Sequence, residues 1–254
     1  MKIGVNQTLM LASGMDRTDV TAMLTACENT GINWLRTQFN WEWFEKTKGT
    51  FYWDAADFAL NLANEKGINI LGILTGAPLW ANGNKANYPP TDLPAWSNFA
   101  NRVQARYPQV TWWEIFNEQN TNLWQPKPNY INYMAVLKAT PKLHGNKFLC
   151  GGYAGIPHLS GDKTHFENCL KNGMADLIDG IAYHPYPTTF PIAWTFFNKD
   201  PKETYALKYL KEVKAIVAKY TLKPMEYWLT ELGHCTAGLW PWQTTSEQNQ
   251  KDYW

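Results

Sequence analysis

Trp112-Trp113-Glu114-Ile115-Phe116-Asn117-Glu118-Gln119-Asn120 is the stretch on which the reading of the fold turns. It follows a turn-like Tyr107-Pro108-Gln109, and its aromatic and β-branched residues predict a buried strand. The strand ends in Asn-Glu-Gln-Asn, so a carboxylate stands where the chain leaves the sheet. Alone, the pattern fits equally well a strand finishing in a polar turn. A second stretch, Glu226-Tyr227-Trp228-Leu229-Thr230-Glu231-Leu232-Gly233, repeats it, again running a strand out onto a carboxylate. In parallel α/β proteins, ligands meet their residues at the C-terminal ends of the strands. Two carboxylates at two strand mouths can work as an acid/base and nucleophile pair.

Outward from that strand, short apolar runs alternate with longer amphipathic ones. Strands are expected over 2–9, 32–37, 68–74, 112–117, 148–153, 177–183 and 226–231. Helices are expected over 19–30, 55–66, 92–107, 129–143, 163–173 and 202–220, and a last one begins near Ser246. Gly31 and Gly67 close the first two helices at the position after the last turn, where a left-handed backbone is needed. Seven βα units in unbroken series predict a (β/α)8 TIM barrel that lacks its eighth βα unit, forming one catalytic domain over 1–254 that is incomplete at its C-terminus. A doubly wound sheet is the alternative. It would be expected to carry a glycine-rich phosphate turn after strand one, and Leu11-Ala12-Ser13-Gly14 is a poor substitute.

Composition narrows the function. A net charge of +1 over 254 residues points to neither nucleic acid nor a membrane surface as partner. The longest apolar run, over 68–74, is far too short to span a bilayer. Lys2 to Asn6 already reads as a strand, which leaves no room for a signal peptide. Cys27, Cys150, Cys169 and Cys235 show no metal-ligand spacing and are expected reduced and mostly buried, with a 150–169 disulfide left open. The unusual feature is 14 Trp, 13 Tyr and 11 Phe beside few charges, which suits a site that stacks on the flat faces of sugar rings.

The residues so far resemble glycoside hydrolase clan A, with features of family 5 and most closely those of family 39. Trp113-Glu114-Ile115-Phe116-Asn117-Glu118 is similar to the Trp-Glu-Ile-Trp-Asn-Glu pattern of family 39, and Thr230-Glu231 to the nucleophile motif after strand seven. Arg36, the run from Gly49 through Trp53-Asp54 to Asp57, Pro78-Leu79-Trp80-Ala81 and His184-Pro185-Tyr186-Pro187 agree in the right order. The likeness extends over about residues 3–238. Gln119 departs from it by replacing a frequent proline, Phe116 by replacing a tryptophan, and the chain lacks the eighth unit, whose strand usually supplies a tryptophan under the reacting sugar.

The resemblance implies a retaining enzyme that cleaves a β-glycosidic bond in an oligo- or polysaccharide, with Glu118 as acid/base and Glu231 as nucleophile. Asn117 would donate to the sugar 2-hydroxyl, and Arg36 and Tyr186 would stabilise the charge on Glu231. The alternative reading of Arg36 is an interior ion pair with Glu114; both can hold together. His184 would bind sugar hydroxyls or orient a carboxylate. Strand alternation puts Glu114, Phe116 and Glu118 on one side and Asn117 on the other. Trp41, Trp80, Trp124 and Trp240 follow strands on the catalytic face; half are expected to stack on sugars and the rest to pack the loops. Trp34, Trp112, Trp113 and Trp228 read as core. No His and carboxylate cluster at metal spacing accompanies His184, so neither a catalytic metal nor another cofactor is expected. The incomplete barrel leaves a carbohydrate-binding module without turnover as the second reading, and an open barrel edge that favours self-association.

Overall fold

A computed structural model of the chain describes residues 4–9, 15–85, 88–155, 164–185 and 205–231. Seven parallel strands, β1 (Gly4–Asn6), β2 (Trp34–Asn40), β3 (Asn69–Thr75), β4 (Trp112–Asn117), β5 (Lys147–Ala154), β6 (Gly180–His184) and β7 (Glu226–Leu229), pair in chain order. Between them run α1 (Arg17–Asn29), the short α2 (Trp41–Phe44), α3 (Asp54–Glu65), α4 (Leu93–Arg106), α5 (Tyr130–Ala139), α6 (His165–Lys171), α7 (Met174–Leu177) and α8 (Tyr205–Val217). The strands curl into the wall of a (β/α)8 barrel, of which the described residues supply seven strands and the helices that follow the first six.

Local chemistry sets the helix starts. Asp16 caps α1 by accepting from the backbone N–H groups of Thr18 and Asp19, while Asp19 returns a bond to the N–H of Asp16. Asp92 caps α4, with Pro94 in the first turn, and Asn129 caps α5. Two expectations shift. The residues just before β6 form α7, so the strand begins at Gly180 rather than 177. The second strand, expected to end at 37, runs on to Asn40 and leads straight into α2, where Asn40 caps a helical turn by accepting from the N–H of Glu42. The helix expected near Ser246 lies outside the described residues.

The main core lies between sheet and helices. Strand residues such as Leu35, Phe39, Trp113 and Ile115 pack there with Trp96 and Phe99 of α4 and Tyr133 of α5. A second, smaller cluster fills the barrel interior: Leu71, Trp112, Leu149 and Ala182, flanked by the half-buried Trp34 and Trp228. Trp228 meets Trp34 edge-on at 5.2 Å and Trp112 at 5.0 Å, so one β7 indole touches β2 and β4 across the barrel. Side chains alternate along a strand, so residues two positions on from this cluster face the same interior, one layer nearer the C-terminal ends. Among those are Arg36, Glu114, His184 and Thr230. A floor of indoles therefore carries a layer of charge.

Cys27, Cys150 and Cys169 are buried free thiols, so 150 and 169 are not bridged; Cys235 lies outside the described residues. No described helix is long and apolar enough to cross a membrane.

Candidate active site

Arg36 is the hub of the charged layer. From β2 it donates Nε and Nη2 to the two oxygens of Glu114 at 2.8 Å each, a bidentate fork. Nη2 also reaches Asn117 Oδ1 at 2.6 Å, and Nη1 reaches Glu231 Oε1 at 2.7 Å. Burial alone would lower the guanidinium pKa, but the carboxylates of Glu114 and Glu231 outweigh it and raise it above its ordinary value. Arg36 is therefore a fixed cation at any working pH. Glu114, fully buried, accepts a further bond from the Gly152 backbone N–H at 2.6 Å, so both of its oxygens are engaged.

His184, at the end of β6, stands between the two strand-mouth glutamates. Its Nδ1 lies 2.9 Å from Glu118 Oε1 and 3.7 Å from Glu231 Oε2, and its Nε2 lies 3.1 Å from Thr230 Oγ1. The Thr230 hydroxyl can donate or accept, so this partner suits either neutral tautomer. The imidazole is almost fully buried, while both glutamates keep partial access to solvent. One oxygen each of Glu118 and Glu231 lie within 4.8 Å of one another and of His184 Nδ1. By distance alone these three side chains could ligate a divalent cation. They stand far apart in sequence, which is why spacing showed no such cluster. A cation there would compete with Arg36 for Glu231.

The backbone leaves β4 unusually. Phe116 and Glu118 have φ of +66° and +48°, in the left-handed region that costs non-glycine residues on the order of 1–3 kcal/mol each. The first of these overturns the alternation expected along the strand. Phe116 turns to the helix side, against Trp96 and Trp124, and Asn117 comes to the interior to meet Arg36. With Oδ1 held by Arg36, the Asn117 amide nitrogen is the part left to face a ligand.

β5 makes room for His184. Its register against β6 shifts between Leu149 and Tyr153, and a Cβ on Gly152 would stand 2.1 Å from His184 Nε2. Glycine is therefore required where the imidazole crosses the strand. Adjacent glycines within an apolar strand signal such close approach, so Gly151-Gly152 was a readable clue that went unused. Thr230 carried no such clue; its role depends on where β6 and β7 bring His184.

The loop tryptophans divide. Trp41 is fully buried in α2, ringed by Trp80, Trp96 and Phe99, with its Nε1 donating to Glu45. Trp124 is buried against Phe116 and Tyr133. Both pack the loops, their faces covered by other rings. Trp80 is half-buried, its Nε1 on the Glu45 carbonyl oxygen and the Lys48 ammonium over its ring. Tyr186 and Trp240 lie outside the described residues.

Fold and site together define a parallel (β/α) barrel with carboxylates at the mouths of β4 and β7, bridged by a histidine, the second of them also held by an arginine. No protein-family model and no curated protein matches the chain. Solved structures do. The chain is similar to a family 39 glycoside hydrolase from the gut symbiont Bacteroides cellulosilyticus WH2, with 22% identity and a TM-score of 0.64 over 92% of this chain and 49% of that one. It is similar to a monomeric β-xylosidase from Caulobacter crescentus CB15, with 14% identity and a TM-score of 0.69 over 93% and 52%. It is also similar to xylanase 10B from Thermotoga petrophila RKU-1, solved with xylobiose, with 14% identity and a TM-score of 0.57 over 90% and 68%. The fold is the parallel (β/α) barrel these glycosidase structures share, and the chain spans about half the length of the first two of them.

Proposed function

We propose that the barrel is a retaining glycoside hydrolase acting on a β-glycosidic bond of an oligo- or polysaccharide, with Glu118 as acid/base and Glu231 as nucleophile. The observation that carries this reading is the separation of those carboxylates: an oxygen of each lies within 4.8 Å of the other. Retaining enzymes hold their carboxyl groups roughly 5–5.5 Å apart, whereas inverting ones leave about 6.5–9.5 Å for a water molecule. In the first step Glu231 attacks the anomeric carbon while Glu118 gives its proton to the departing oxygen. In the second, Glu118 takes a proton from water as that water displaces Glu231 from the sugar. Arg36, bonded to Glu231 Oε1 at 2.7 Å, keeps a fixed positive charge beside that carboxylate before attack and after release. His184 holds Glu118 toward the bond it protonates, and the Asn117 amide nitrogen donates to the sugar 2-hydroxyl.

The test is turnover of aryl β-D-xylosides and β-D-glucosides by this chain, together with intact-mass labelling by the corresponding 2-fluoro glycosides. Product plus a single covalent adduct supports the reading. Saturable sugar binding with neither product nor adduct would replace it with a binding module on the same barrel.

A further inference from the structure

Beyond Asn117 the β4 ladder stops, yet Glu118 must be held in a left-handed conformation against His184. Two side-chain amides take over from the ladder. Gln119, fully buried, donates Nε2 to the Gly151 carbonyl oxygen at 3.1 Å. Asn120, nearly as buried, donates Nδ2 to the Ala154 carbonyl oxygen at 2.8 Å and accepts from the Ala154 N–H at 3.1 Å. The Glu118 N–H donates to the Gly152 carbonyl oxygen at 2.8 Å, between the two clamped points. The whole turn is thus fastened to residues 151–154 of β5, within the stretch where β5 shifts register against β6.

From this we infer that Gln119 and Asn120 are positioning residues for Glu118, an amide clamp that fixes the general acid over the scissile bond; the inference rests on the function proposed above. Gln119 is the sharper case. Its Oε1 is buried with no hydrogen-bond partner among the described residues, an arrangement that costs stability. An apolar side chain of similar size avoids that cost but cannot donate to Gly151. Gly151 is shaped to the amide as well: a Cβ there would stand 2.2 Å from Gln119 Oε1. A side chain that is costly to bury, fitted to a glycine and bonded next to the proposed acid makes sense if its donor sets where Glu118 stands.

The experiment uses Gln119→Leu, which removes the donor at similar volume, and Gln119→Glu, which is nearly isosteric but cannot donate once ionised. Each is assayed on phenyl and dinitrophenyl β-xylosides, with near-UV circular dichroism reporting the folded fraction. kcat/KM reports the first step, in which only the phenyl leaving group needs protonation, so kcat/KM for the phenyl xyloside should fall on the order of 100-fold, as for a displaced catalytic group. kcat/KM for the dinitrophenyl substrate should fall far less. Equal losses on both substrates, or unchanged rates on both, would overturn the clamp. If the unmodified chain turns over neither substrate, the glycosidase reading fails instead. The clamp is then judged by the crystal structure of Gln119→Leu, where a retained 2.9 Å contact between Glu118 and His184 would overturn it.

Discussion

Arg36 and Glu231, 195 residues apart in sequence, are joined by one hydrogen bond of 2.7 Å from Nη1 to Oε1. The same guanidinium holds Glu114 by a fork and Asn117 by its remaining reach, so a single β2 side chain ties β4 to the segment leaving β7. Because Glu114 is wholly buried, losing the fork would leave a buried carboxylate without its ion-pair partner. Arg36→Met should cost about 3–5 kcal/mol, the usual penalty for leaving one member of a buried ion pair alone. Adding Glu114→Gln should recover part of the loss. Urea denaturation of the two single variants and the double variant measures both; losses that simply add would show that the pair is not coupled.

Glu231→Gln should abolish the covalent adduct with a 2-fluoro glycoside while sparing sugar binding, since the amide is close in shape but is not a competent nucleophile. Intact mass after incubation reads this directly. Labelling at the unmodified rate would remove Glu231 from the role.

Glu118→Ala should lose far more rate on poor leaving groups than on activated aryl glycosides, because only the former need a proton to depart. Azide should restore part of the second step by replacing the water that Glu118 would activate. A variant equally slow on both substrate types and indifferent to azide would make Glu118 a structural residue.

Much of this arrangement was legible because strand mouths are readable. Aromatic and β-branched runs ending in carboxylates located β4 and the segment after β7, and glycines and capping residues marked the helix ends to within a few residues. Arg36 was weighed both as an ion pair with Glu114 and as a partner of Glu231, and the structure gives it both contacts. Two features lay beyond sequence reading. A positive φ at a phenylalanine has no compositional sign, so the reversal of sides at Phe116 and Asn117 could not be foreseen from alternation. Nor does a tryptophan after a strand declare whether its face is free. Trp41 and Trp124 are covered by rings from α4 and α5, contacts that exist only once the helices have packed.

The acid limb of stability should carry a small contribution from Asp57. Hydrogen bonds from Arg106 lower its pKa against the opposing effect of burial, with help from the Tyr107 hydroxyl at 3.0 Å. A carboxyl depressed in the folded state stabilises above its unfolded pKa, near 3.9. It loses that contribution as pH falls through the folded value. The pair is partly exposed, so Asp57→Asn should cost only about 0.2–1 kcal/mol at pH 7. Urea midpoints at pH 7 and in the acid range check it: the gap between unmodified chain and variant should narrow on acidification. A gap that widened would reverse the sign.

Trp228 bears on how the site is supported across the barrel. It lies on β7, which among the described residues pairs only with β6, and its indole reaches Trp34 of β2 at 5.2 Å and Trp112 of β4 at 5.0 Å. These contacts tie one end of the sheet to its middle below the Arg36 layer, where no described backbone hydrogen bond joins β7 to β2 or β4. Removing a fully buried tryptophan costs about 3–5 kcal/mol, and Trp228 is only half-buried, so Trp228→Ala should fall toward or below the lower end. Trp34→Ala should then cost less in the Trp228→Ala background than alone, by the roughly 0.5–1.5 kcal/mol that an aromatic pair contributes. The same cycle read on aryl glycoside turnover separates support from stability. Because Thr230 and Glu231 lie only two and three residues beyond Trp228, loosening β7 should lower kcat even where the variant is fully folded. A Trp228→Ala chain with unaltered stability and kcat would show that the interior indoles fill space without supporting the site.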